Sequence, residues 1–199
     1  MTAPPASSND LVGQALDLAA RTGFSQSCRP EHGELLRLLA RGVGPGVIGE
    51  TGTGCGAGLA WLLSGADPAA RLVSIERDPE RCKDAAELFR AEPAVRVLHG
   101  DWRDLLADGP FDLLVLDGGG QGKGAEPPLD PAEWLRPGGL IAMDDFTPAT
   151  SWPPLYEGRV DEPRRYWLDH PDLRATEVRV TPDAATVLAT YLPGLRAPR

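Results

Sequence analysis

The chain has 199 residues, 42% of them apolar and 25% charged, with 23 glycines and 20 prolines. That is enough for one globular domain with a proper core and many loops. The net charge of −9 argues against a broad basic face for nucleic acid, and no apolar run reaches the roughly 18 residues of a membrane span.

Residues 1–8 lack a basic-then-apolar leader and read as a frayed tail. Ser8 or Asn9 can cap a first helix carrying Leu11, Val12, Ala15, Leu16 and Ala19, which stops near Gly23. A polar linker over 24–29 could lie over a site. A second helix opens with Pro30-Glu31 and carries Leu35, Leu36, Leu38 and Leu39 before Gly42. The predicted division is a tail and helix over 1–29, able to act as a lid, and one domain over 30–199. Cysteines 28, 55 and 82 show no metal-binding spacing, which points to reduced thiols and a cytoplasmic setting.

From residue 46 the pattern alternates. Strand-like runs cover 47–50, 71–76, 94–99, 111–117 and 140–144, with helical candidates at 58–63, 78–91, 102–107 and 131–135. Asp78-Pro79-Glu80 is a strong helix start. The runs 176–181 and 185–192 read as a terminal antiparallel hairpin. The expected fold is α/β: a doubly wound, mostly parallel, Rossmann-like sheet.

The stretch 46–58 is strand, glycine loop and helix start, with glycines at 52, 54, 56 and 58. Glycine lets backbone approach a ligand closely, and the N–H groups opening the next helix face it. Ligands in such sheets bind beyond the carboxyl ends of the strands. Glu50, Glu76, Asp101, Asp117, Asp144 and Asp145 all fall there, one acid or more for every parallel strand. Two cofactors compete at this point. Residues 52–57 can be laid on the G-x-G-x-x-A pattern of NAD(P)-dependent oxidoreductases. Glu50, two residues before the first glycine, sits badly beside a pyrophosphate and well beside amino or hydroxyl groups.

Taken in order, Glu50-Thr51-Gly52-Thr53-Gly54-Cys55-Gly56, Glu76, Gly100-Asp101-Trp102, the run 111–117 and Leu135-Arg136-Pro137-Gly138-Gly139-Leu140 resemble the motifs of class I S-adenosylmethionine-dependent methyltransferases. The resemblance covers about residues 30–192. It implies a seven-stranded sheet and S-adenosylmethionine as cofactor, contacted by Glu50, Thr51, Gly52, Gly54, Gly56, Glu76, Arg77, Gly100, Asp101, Trp102 and Asp117. Glu76 would accept from the ribose hydroxyls and Asp101 from the adenine amino group, with Trp102 or Arg77 flanking the ring. As a plain alternative, Asp101 is a helix cap.

The order of acids also resembles the catechol and caffeoyl-coenzyme A type O-methyltransferases. That implies a divalent cation, Mg²⁺ or another, held by Asp117, Asp144 and Asp145, with Asp117 and Lys123 as the catalytic pair. Lys123 lies six residues after Asp117 where the family places its lysine three after, so a solvated surface lysine competes with a base. The expected acceptor is a small, catechol-like molecule, in a pocket built from the N-terminal helices, the 118–124 loop and an insert over 147–173; its Trp152, Tyr156, Tyr166 and Trp167 either face a flat acceptor or pack the insert onto the sheet. No nucleic-acid or membrane partner is expected, and the resembled group suggests a homodimer. Rivals are a metal-independent methyltransferase, a nicotinamide enzyme and a non-catalytic binding protein.

Overall fold

The computed structural model describes residues 8–194. The expected tail lies outside that range except for Ser8, and the side chains of Ser8 and Asn9 also fall outside the described set. Helices α1 (Ser8–Thr22) and α2 (Pro30–Val43) form as the spacing predicts. The buried stripe of α2 is His32, Leu36 and Ala40, spaced by four, whereas Leu38 is 70% exposed.

Strands β1 (Val47–Thr51), β2 (Arg71–Glu76), β3 (Val95–His99), β4 (Phe111–Leu116) and β5 (Leu135–Phe146) are joined by helices. These are α3 (Ala57–Gly65), α4 (Pro79–Leu88), a 3₁₀ turn (Trp102–Asp108) and α5 (Pro131–Trp134). After a two-stranded ribbon of β6 (Leu155–Tyr156) and β7 (Arg159–Val160) come α6 (Glu162–Asp169), β8 (Leu173–Arg179) and β9 (Ala185–Tyr191). The main sheet has seven strands in the order β3-β2-β1-β4-β5-β9-β8. β1 to β5 run parallel, and β9 is antiparallel to both β5 and β8. The expected doubly wound sheet with its C-terminal hairpin is the observed one.

Two cores explain why the strands are apolar on both faces. Leu113, Val115 and Ala142 join Leu11, Leu36, Leu59 and Leu62 on the side of α1, α2 and α3. Leu114, Leu116, Ile141 and Met143 join Trp134 and Trp167 on the other. Alternate residues of one strand thus serve opposite layers, as a sandwiched parallel sheet requires. Asp78 caps α4 by accepting from Glu80 and Arg81 N–H groups, with Pro79 in the first turn.

Two expectations need correction. The stretch 136–139, lying between the helical candidate and the strand-like run, is absorbed into β5, which starts at Leu135 and makes a register shift against β4 between Phe111 and Leu113. The insert does not roof a pocket with its aromatics. Trp167 is fully buried and donates from Nε1 to Gln121 O at 2.8 Å, and Tyr166 bonds Leu129 O at 3.1 Å. Arg164, 1% exposed and paired with Asp161 and Glu177, pins α6 to the sheet. Among the described residues no helix is long and apolar enough to cross a membrane.

Candidate functional site

Strand order reverses between β1 and β4, and the carboxyl ends of the strands open there into a cavity of about 580 Å³. Its floor is two backbone segments in contact. Gly52 has φ +87°, and a Cβ on it would stand 2.6 Å from Gly118 Cα. Gly52 N–H donates to Ile75 O at 2.9 Å, and Gly118 N–H donates to Thr51 O at 2.6 Å. Thr51 Oγ1 donates to Gly119 O at 2.9 Å, tying the two loops together.

One end of the cavity carries Glu76, Arg77, Gly100, Asp101 and Trp102. Glu76 Oε2 accepts from Gly54 N–H and Oε1 from Asp78 N–H, both at 2.8 Å. The glycine loop therefore already holds a carboxylate on the N–H that a phosphate would need. Asp101 caps the 3₁₀ turn, accepting from Arg103 N–H at 3.1 Å, and lines the cavity as well. Its carboxyl is held below the usual range, first by that backbone bond and then by the Arg103 guanidinium. Trp102 donates to Glu126 Oε2 at 2.9 Å and carries Arg103 over its ring.

Glu50, Thr51 and Gly56 sit behind the wall rather than in it. Gly56 makes room for Phe89, whose ring would stand 2.8 Å from a Cβ there. Glu50 is 2% exposed, beside Gly58, and accepts from Ser74 Oγ at 2.6 Å. Burial pushes its carboxyl up to about 8, and the nearby Asp117 and Glu76 charges add to the rise. Since the folded value lies above the unfolded one, this group favours folding at low pH, and its contribution is lost as pH climbs from about 4.5 through about 8. In EDTA, Glu50→Gln is therefore expected to melt on the order of 10 °C closer to its acid-side value at pH 8 than wild type does. Melting curves across this pH range test it; parallel curves for the two proteins would reject the assignment.

The other end gathers Asp117 from the end of β4 with Asp144 and Asp145 from β5. One carboxylate oxygen from each lies within 4.8 Å of the others. Asp145 takes φ +64°, left-handed backbone that Asp tolerates better than most residues. Burial, then Asp145 and Asp144, push the Asp117 carboxyl up to about 8. Lys123 is no solvated surface lysine. Its Nζ donates to the backbone carbonyls of Asp144 and Asp145, both at 2.8 Å, and stands 4.2 Å from the centre of the Phe146 ring. Burial lowers its pKa against the pull of Asp145 and Asp144.

The linker 24–29 lies along the cavity, as its position between the helices suggested, with the Phe24 ring against Gly54 and Arg29 bonded to Asp183 at 3.0 Å in the β8–β9 turn. Arg81 and the place of His32 in the lining were not foreseen. Arg81 bonds Glu76 Oε1 at 3.1 Å and lies 5.3 Å from the centre of the Phe24 ring. A cation in the first turn of a helix opposes the dipole, which was the available signal for Arg81. His32 lines the cavity beside Asp144, its pKa lowered by burial against the pull of Asp144 and Asp145. From the insert, Thr147 borders the cavity; Trp152, Tyr156, Tyr166 and Trp167 do not.

Comparison with known proteins places this geometry. Residues 50–146 match a family described as a methyltransferase domain. A Mycobacteroides abscessus protein carrying the description "Putative O-methyltransferase" is 31% identical over 151 residues, 69% of this chain and 66% of its own. One from Mycobacterium avium, so described too, is 31% identical over 69% of this chain and 64% of its own. The chain thus spans just under two thirds of the length of these curated relatives. Among solved structures, an O-methyltransferase from Bacillus cereus in complex with SAH superposes with a TM-score of 0.71 at 22% identity, covering 94% of this chain and 92% of that one. TomG from Streptomyces achromogenes, in complex with SAM, gives 0.71 at 22%, covering 92% and 89%. At such identities the likeness is one of fold.

Proposed function

We propose that this chain is a class I S-adenosylmethionine-dependent methyltransferase and transfers a methyl group from S-adenosylmethionine to a hydroxyl oxygen of a small, catechol-like molecule with the help of a divalent cation; its match to a methyltransferase domain over residues 50–146 and its likeness to the O-methyltransferase relatives support the reading. The observation that carries the reading is a single cavity with a ribose-competent carboxylate, Glu76, at one end and three clustered carboxylates at the other. Glu76 offers lone pairs to paired ribose hydroxyls, and Asp101 offers one to an adenine amino group. A pyrophosphate would instead meet the Glu76, Asp101 and Asp117 carboxylates. The same charges suit a sulfonium cation.

The donor set fits a divalent cation. Asp117, Asp144 and Asp145 supply oxygen atoms close enough to share one ion, and their mutual repulsion, which adds to burial in raising the Asp117 pKa, is what such an ion relieves. An ion held there would lower the pKa of an acceptor hydroxyl and fix its direction. The chain's own residues do the rest. Gly52 and Gly54 bring backbone against the methionine half of the cofactor. Asp117, in the acidic cluster, sets the acceptor oxygen against the methyl carbon, so that the C–O bond forms as the S–C bond breaks, with the hydroxyl proton released to solvent. Lys123, committed to two carbonyl oxygens, holds residues 144 and 145 and supplies positive charge; in this reading it positions the acids rather than accepting a proton.

Calorimetric or thermal-shift titration with S-adenosylhomocysteine and NADH, each with Mg²⁺ and with EDTA, tests the reading. S-adenosylhomocysteine at about a hundred times its Kd is expected to raise Tm by roughly 5–10 °C, and NADH to leave it unchanged. Methyl transfer to a panel of vicinal diols is expected with Mg²⁺ and lost in EDTA. Binding of NADH alone, or of neither ligand, would overturn the proposal. Turnover undiminished in EDTA would leave the cofactor and remove the ion.

A further inference from the structure

His32 and Thr186 have no part in the scheme above, yet they meet in the core beside Asp144. His32 lies in the first turn of α2 and Thr186 is the second residue of β9; they are 5% and 0% exposed. Thr186 Oγ1 donates to Asp144 Oδ1 at 3.2 Å. A threonine hydroxyl has one proton to give. The 3.0 Å contact between Thr186 Oγ1 and His32 Nδ1 must then run the other way, with Nδ1–H as donor. That leaves His32 Nε2 facing Asp144 Oδ2 at 3.5 Å. In the neutral ring Nε2 then carries only a lone pair, so the side-chain hydrogen bond that holds Asp144 is the one Thr186 gives to Oδ1. Among the described residues, neither Asp117 nor Asp145 receives a side-chain hydrogen bond.

Packing alone does not call for these polar groups. Thr186 sits on the face of β9 that also presents Leu188 to the α2 layer, a site where valine would fill the same volume without a hydroxyl to satisfy. His32 continues the stripe of Leu36 and Ala40. It also falls outside the group of carboxylates whose oxygens lie mutually within 4.8 Å, so it stands behind the ligands rather than among them.

Resting on the divalent-cation reading above, we propose that His32 and Thr186 are positioning residues: a His32–Thr186–Asp144 hydrogen-bond chain fixes the rotamer and lone-pair direction of Asp144 for the cation. A carboxylate ligand held this way binds metal more tightly because its orientation is set before the ion arrives. The chain also links occupancy of the site to α2, which follows directly on the linker along the cavity.

The test is Mn²⁺ titration of the full chain, followed by electron paramagnetic resonance and by calorimetry, in the presence of S-adenosylhomocysteine. Thr186→Val removes the donor to Asp144, Thr186→Ser keeps it, and His32→Leu removes the donor to Thr186. Thr186→Val and His32→Leu are expected to weaken Mn²⁺ binding by about tenfold to a hundredfold. Thr186→Ser is expected to stay within about threefold of wild type, and S-adenosylhomocysteine affinity in EDTA is expected to be unchanged in all three. Unaltered Mn²⁺ affinity in Thr186→Val and His32→Leu, beside a wild type that binds the ion, overturns this inference alone. An equal loss of Mn²⁺ and S-adenosylhomocysteine affinity also overturns it, because it marks general damage. A wild type that binds no Mn²⁺ takes the cation reading down with it.

Discussion

Asp117→Asn is expected to lower kcat/KM for methyl transfer by about a hundredfold to a thousandfold, the usual cost of removing one fixed electrostatic group from a reacting centre. The residue's backbone is anchored by its N–H to Thr51 O at 3.1 Å, so the substitution should leave the loop in place. What it removes is charge: the amide keeps one oxygen, but one of three clustered negative charges is lost from beside the reacting groups. The stability effect has the opposite sign. The Asp117 carboxyl is pushed up to about 8 by burial and by its two acidic neighbours, so in the metal-free protein its contribution to folding is lost as pH rises through that value. The amide has no proton to lose. Melting of the variant in EDTA at pH 8 should therefore match or exceed that of wild type while activity collapses. Activity within tenfold of wild type would sink the role given to Asp117, and a large fall in Tm would mean that the loss is structural.

The acids at the strand ends were legible because they follow a local rule: each closes a short apolar run that can only be a buried strand. Glu76, Asp101, Asp117, Asp144 and Asp145 consequently reach one cavity. Glu50 obeys the same rule and ends up beneath α3, because which side of a strand end faces the opening depends on the loop after it. Residues over 24–29 have no periodicity, and their course is set by Phe24 packing on Gly54 and Arg29 reaching Asp183, contacts with partners 30 and 154 positions away in the chain. The aromatics of the insert misled for a related reason. Tyr166 and Trp167 are adjacent, which on a helix sends them to different neighbours, and Arg164 looks like a surface residue until Asp161 and Glu177 are placed around it. A buried guanidinium can be recognised only together with its partners. Lys123 is similar: spacing set it too far from Asp117, while the folded loop brings it to the carbonyls of the next strand.

The close approach of Gly52 and Gly118 sets the other large effect. Gly52→Ala should destabilise the protein by about 3 kcal/mol or more, from the strain of a left-handed φ in a residue with a side chain and from overpacking. The obstruction is rigid, since the new methyl group would stand 2.6 Å from both the Cα and the N of Gly118, and backbone cannot rotate away as a side chain can. Moving Gly118 would stretch its 2.6 Å bond to Thr51 O and shift Asp117, one residue earlier. Stability and ligand binding are therefore expected to fall together: Tm by roughly 6–12 °C for a chain of this size, and S-adenosylhomocysteine affinity by at least about tenfold, the counterpart of roughly 1.4 kcal/mol. Gly13→Ala is the control. Gly13 is exposed within α1 with nothing within 4 Å of a new Cβ, so alanine there should raise stability by about 0.5–1 kcal/mol and leave binding alone. If Gly52→Ala melted within about 2 °C of wild type and bound S-adenosylhomocysteine as well, the two loops would have room to part, and the rigid floor on which the cofactor and Asp117 are both placed would not exist.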